Sequence, residues 1–150
     1  MIYDEKPKDF ANYIEVVGCL VECGNEFLLL HRHDKKIHGN KWGQPAGKVD
    51  KKDKDLKNAM LRELREETGI VAKEKDLIFH KTFFVSHPDR NFLYHYFKLN
   101  LKEKFDIVIK NDEHKAFVWV TLEEALKMPL ILDEDHCLKY ITIHRSDLCL

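Results

Sequence analysis

The stretch 55–68 reads as an amphipathic helix with its charges on the wrong side. Asp55 is a suitable N-cap, Leu56, Met60 and Leu64 recur every four residues, and Gly69 follows as a stop. At 100° per residue from Leu56, the apolar Ala59, Met60 and Leu64 fall at about 300°, 40° and 80°. Glu66, Glu63 and Glu67 fall at about 280°, 340° and 20°. The three carboxylates therefore share an arc of roughly 100° that overlaps the apolar stripe, whereas a solvated charged face would take the opposite side.

Three penalties coincide on this helix. Glu63 and Glu67 form a like-charged i, i+4 pair, at about 0.2–0.5 kcal/mol. All three glutamates crowd the negative end of the helix dipole, at roughly 0.3–1 kcal/mol each near the last turn. Burial beside the apolar stripe adds desolvation. Arg62 can pair with Glu66 at i, i+4, and a divalent cation would answer the rest, since clustered hard oxygens suit Mg²⁺ or Mn²⁺. The competing reading is a surface helix neutralised by Arg62, Arg65 and nearby lysines.

The surrounding pattern predicts a sheet with helices packed on it, an α/β (α+β) fold. Residues 13–23 and 26–31 read as two strands joined by a tight connection at Gly24-Asn25. Residues 77–85, 92–101 and 116–120 read as further strands. A capping-box pattern at Thr121 opens a short helix, and 134–144 suggests a last one. In 92–101, Phe92, Tyr94 and Tyr96 share one face while Leu93, Phe97 and Leu99 take the other, so these aromatics, with Phe83 and Phe84, read as core more than as a stacking platform. The segment 34–54, with Gly39, Gly43, Pro45 and Gly47, is expected to be an irregular loop, and its length marks it as functional.

Composition excludes several function classes. A chain of 150 residues is about one domain's worth. Its 25 basic and 26 acidic residues leave a formal charge of −1, so no global field or basic stripe draws it to nucleic acid or a membrane surface. An anionic ligand must then be held locally. No apolar run approaches the roughly 18 residues of a spanning helix, and the start, Met1-Ile2-Tyr3-Asp4-Glu5-Lys6, lacks the pattern of a secretory signal; a cytoplasmic protein is expected. The four cysteines read as reduced thiols, and no histidine pair shows helical i, i+4 spacing with a carboxylate between.

The ordered run Arg62-Glu63-Leu64-Arg65-Glu66-Glu67-Thr68-Gly69-Ile70 resembles the second half of the Nudix hydrolase signature. Upstream, Trp42-Gly43-Gln44-Pro45-Ala46-Gly47 is similar to the loop that leads into it. One departure stands out: Gly47 lies one residue further from Arg62 than in the family pattern. The family's loop Glu is replaced by Asp53 counting forward from Gly47, or by Lys54 counting back from Arg62.

The resemblance implies a single Nudix domain over residues 1–150, with its signature at 47–70 and an α/β/α sandwich around a mixed central sheet. It implies a Mg²⁺ or Mn²⁺ site made by Glu63, Glu66 and Glu67 with the carbonyl of Gly47, and a structural Arg62 that orients Glu66. The implied activity is hydrolysis of a nucleoside diphosphate linked to another group. Modified nucleoside triphosphates, nucleotide sugars, dinucleoside polyphosphates and capped RNA ends all carry that linkage; a compact domain with no basic stripe favours small nucleotide substrates and ranks nucleoside triphosphates or nucleotide sugars first.

Candidate bases are Glu66, Glu67 and Glu113, the last six residues before Trp119, where some family members carry an extra metal-reaching Glu. Its competing reading is an exposed loop acid. Arg32 is a candidate phosphate contact, against solvated surface charge. The alternative function is a Nudix-fold module that binds a nucleotide or RNA without cleaving it, motivated by the insertion and the missing Glu.

Overall fold

A computed structural model describes residues 1–143. Its strands are β1 (Ile2–Tyr3), β2 (Tyr13–Cys23), β3 (Glu26–Arg32), β4 (Trp42–Gly43), β5 (Ala46–Lys48), β6 (Leu77–Ser86), β7 (Asn91–Leu101) and β8 (His114–Val120). The helices are α1 (Leu56–Thr68), α2 (Leu122–Ala125) and α3 (Glu134–Ile143). The expected last helix thus runs to Ile143; residue 144, like Cys149, lies outside the described residues.

The sheet is mixed, in the order β1-β6-β7-β2-β3-β4, with β5 added to β2 and β8 to β3. Its spine is the parallel pair β2 and β7, in register from Tyr13 with Asn91 to Cys23 with Leu101. The alternation along these strands sends side chains to two separate cores. Val17, Cys19, Val21, Leu28, Leu30, Phe97 and Leu99 pack with Ala59, Met60 and Leu64 of α1. Leu20, Phe27, Leu29, Tyr94 and Tyr96 pack on the other face with Ala125, Cys137, Leu138 and Ile141. The expected α/β/α sandwich follows, and Phe92, Tyr94, Tyr96, Phe97 and Phe83 belong to these cores. Among the described residues, Cys19, Cys23 and Cys137 are free thiols.

The helix α1 forms as its sequence directs. Asp55 accepts a hydrogen bond from the Asn58 N–H, and Gly69 ends the helix at φ 77°, with its N–H donated to the Arg65 carbonyl.

The segment 34–54 departs from expectation. It is not irregular throughout, because β4 and β5 lie within it. Each has only two or three residues and is held entirely by a distant partner: Gly43 pairs with Leu30, and Gly47 with Val17. Local pattern cannot show such strands, since the edge that stabilises them comes from elsewhere in the chain. One edge of β2 is shared, with β5 on Val16–Gly18 and β3 on Glu22–Cys23. This division lets β5 run beneath α1.

Candidate active site

Glu63 and Glu67 project from α1 onto β5, and both are buried, at 8% and 3% exposure. Glu66, between them, is exposed. The Glu63 carboxylate lies against the backbone of Gly47: a Cβ there would sit 2.1–2.4 Å from its carboxyl atoms, so a side chain at 47 would displace the carboxylate or the strand. Ala46, the neighbouring residue, donates its N–H to Glu67 Oε2 at 3.0 Å. The short strand β5 thus positions both carboxylates.

Compensation is uneven. Arg62 Nη1 donates to Glu63 Oε1 at 2.8 Å and to Glu66 Oε2 at 3.2 Å. Burial nevertheless raises the Glu63 carboxyl, against the pull of Arg62. Burial pushes Glu67 up further, well above the ordinary range, and the neighbouring charge of Glu63 adds to it. The Ala46 N–H and Arg32 pull the other way without cancelling it. Two like charges are held in a low-dielectric place with too little positive charge beside them.

The inserted residue before α1 is absorbed without loss of a partner for Arg62. Asp53 occupies the place and chelates the guanidinium, Nε to Oδ1 and Nη2 to Oδ2, both at 2.9 Å. Arg62 also donates to the Lys48 carbonyl at 3.0 Å. Arg62 therefore ties together the loop, β5, Glu63 and Glu66, a wider structural part than orienting Glu66 alone.

Two residues remote in sequence arrive from the other side. Arg32 ends β3, and Glu113 precedes β8, whose first residue, His114, pairs in register with Arg32. The Glu113 carbonyl accepts the His33 N–H at 2.8 Å, which ties this loop to the end of β3. Carboxylate oxygens of Glu67 and Glu113 and a ring nitrogen of His114 lie within 4.8 Å of one another.

His114 carries no sequence signal beyond its adjacency to Glu113. Burial, with help from Arg32, holds its imidazole down at about 4, so it is neutral at pH 7. Arg32 is partly tied, with Nε donated to the Ile37 carbonyl.

These groups open onto a cavity of about 490 Å³ that Arg32, Gly47, Glu63, Glu67 and Glu113 line together with Val16, Phe92, Tyr94, Gln44 and Glu134. The lining combines carboxylates with apolar and aromatic side chains, a mixture suited to a ligand with a charged and a flat part. Phe92 and Tyr94 thus serve the core and the cavity wall at once. Among the described residues no helix is long and apolar enough to cross a membrane.

Comparison with known proteins agrees with this arrangement. The NUDIX domain model matches residues 12–141. The chain is 32% identical over 117 residues to a CTP pyrophosphohydrolase of Escherichia coli K12, covering 78% of this chain and 82% of that protein. It is 36% identical over 106 residues to the asymmetrical bis(5'-nucleosyl)-tetraphosphatase of Mus musculus, covering 69% of each. The fold superposes with a TM-score of 0.78 on the NUDIX domain of Shewanella oneidensis NrtR in complex with ADP ribose, at 20% identity, covering 97% of this chain and 94% of that one. With its signature helix laid over Gly47 and its fold shared along nearly its whole described length, the chain belongs to the Nudix hydrolase family and is a pyrophosphohydrolase.

Proposed function

We propose that the protein hydrolyses the pyrophosphate linkage of a nucleoside triphosphate or nucleotide sugar, using Mg²⁺ or Mn²⁺ held by Glu63, Glu66, Glu67 and the carbonyl of Gly47. The observation that carries this reading is the burial of Glu63 and Glu67 together over Gly47, with Arg62 compensating only the first. The donor set is all oxygen, which fits a hard dication. Such an ion, when bound, neutralises pyrophosphate charge and lowers the pKa of a water beside it.

The chain's own groups do the remainder. Glu113, brought beside Glu67, and Glu66 or Glu67 itself are the carboxylates that can take the proton of the attacking water. Arg32 contacts a substrate phosphate from the end of β3. The apolar wall of Val16, Phe92 and Tyr94 receives the base or sugar. The relation to a CTP pyrophosphohydrolase supports placing nucleoside triphosphates first.

The test is a panel of nucleoside triphosphates, nucleotide sugars and dinucleoside polyphosphates with Mg²⁺ or Mn²⁺, with products identified. Release of a nucleoside monophosphate that disappears in Glu67→Gln and Glu66→Gln, with the fold intact by circular dichroism, is expected. Wild-type turnover in both variants would overturn the assigned site. The same panel decides against a pure nucleotide-binding module if any product exceeds the Glu67→Gln background.

A further inference from the structure

The cavity wall carries a second cluster that the pyrophosphohydrolase chemistry does not use. His38, in the loop between β3 and β4, and His87 and Asp89, in the turn between β6 and β7, each offer a ligand atom within 4.8 Å of the others. The two rings approach edge to face at 5.4 Å between centroids. His38 and His87 line the same cavity as Glu63 and Glu67. The sequence hides this cluster, since the two histidines are far apart in the chain and share no helix.

Its parts are arranged as metal ligands are. His87 is buried, and its Nε2 lies 3.1 Å from Asp133 Oδ2. In the neutral ring that bond keeps the proton on Nε2 and leaves the lone pair on Nδ1, the carboxylate–histidine arrangement that supports metal-ligating imidazoles. His38, half-buried, offers the second imidazole nitrogen of the cluster. Asp89 has a loose partner in Arg90 at 3.5 Å, a contact too long to compete with a metal bond.

The chemistry also selects the ion. A hard cation would call for more oxygen ligands than the single carboxylate of Asp89 supplies. Two imidazoles and one carboxylate instead suit a borderline ion that gains from nitrogen ligation. We propose that His38, His87 and Asp89 form a binding site for Zn²⁺ or a similar transition-metal ion, distinct from the glutamate site on α1. An ion there ties the loop of His38 to the turn of His87 at the wall of the cavity. This site does not depend on the proposed substrate.

The experiment titrates the metal-free protein with Co²⁺, read by its ligand-field absorption, and with Zn²⁺ against a chromophoric chelator. Wild type is expected to show an absorption with imidazole nitrogen in the coordination sphere. His38→Ala and Asp89→Ala should each weaken binding at least about tenfold, and Asp133→Asn should do so by its effect on His87. Glu67→Gln should leave that signal in place. The proposal is overturned if Zn²⁺ affinity is the same in His38→Ala as in wild type, or if the signal is lost in Glu67→Gln and kept in His38→Ala. His38 and Asp89 sit in surface segments, so those two variants decide the matter even if His87→Ala fails to fold.

Discussion

Arg62 grips Asp53 with two nitrogens at once, Nε on Oδ1 and Nη2 on Oδ2, each at 2.9 Å. The pair fastens the lengthened loop: Asp53 leads the chain into α1, while the same guanidinium holds Glu63 and the Lys48 carbonyl. Planar two-point pairing is what an arginine supplies and a lysine does not.

Removing one side of that pair should be felt both in stability and in turnover. Asp53→Ala is expected to lower unfolding stability by about 1–2 kcal/mol, the order of a charged hydrogen-bonded pair near the surface. Arg62 holds the Asp53 carboxyl below its usual range, so this contribution is present above the ordinary aspartate pKa and is lost as pH falls through the lowered value. Urea unfolding at pH 7 and pH 3 checks this, the variant showing the smaller acid loss. Because Arg62, the brace of Glu63, loses its anchor, kcat should fall more than KM rises.

Glu67→Gln should separate function from stability. A carboxyl whose folded pKa is raised contributes stability at low pH and loses it as pH rises above the ordinary glutamate value. In metal-free buffer at pH 8 the amide relieves that loss, so the variant is expected to melt at a higher temperature than wild type while losing at least about a hundredfold in turnover. Mg²⁺ or Mn²⁺ should raise the wild-type melting temperature and leave the variant unmoved. Equal metal-induced shifts in the two proteins would remove Glu67 from the metal site.

Gly47→Ala places a methyl 2.1–2.4 Å from the Glu63 carboxyl atoms. The carboxylate must leave or β5 must shift away from Val17. The cost expected for such overpacking is about 1–3 kcal/mol, with a higher Mg²⁺ concentration needed for half-maximal rate. A crystal structure of the variant with both Glu63 and β5 undisplaced would contradict the packing argument.

Glu134 supplies a pH test away from the signature helix. It is buried, accepts the Gln44 N–H at 2.9 Å, and is pushed up to about 7 by burial. The folded state therefore binds a proton that the unfolded chain releases near pH 4.5, and stability declines as pH rises from about 4.5 to 7. Up to about 3 kcal/mol lies in that window. Glu134→Gln keeps the acceptor and removes the titration, so its urea midpoint should change less between pH 5 and pH 8 than that of wild type.

The legible parts of the protein were those that local rules settle. The caps of α1 at Asp55 and Gly69, the alternation that splits Tyr94 and Tyr96 from Phe97 and Leu99, and the conflict of Glu63 and Glu67 with the apolar stripe all follow from residue spacing along one element. Strands β4 and β5 were not legible, because two or three residues have no propensity strong enough to show and their partners are remote. Asp53 could be counted into position from Gly47, but its grip on Arg62 depends on how the loop folds back.

The sequence by itself determined that a helix would carry acidic side chains toward the core, because helical periodicity is a property of neighbours; of the three glutamates on that arc, Glu63 and Glu67 are buried and Glu66 is exposed. Only the tertiary structure decided where that charge would meet the rest of the molecule. It laid Glu63 on Gly47, brought Glu113 and His114 beside Glu67, and drew His38 and His87 together on the cavity wall. Each of these meetings joins segments distant along the chain, and their approach is set by strand pairing and burial rather than by any local pattern.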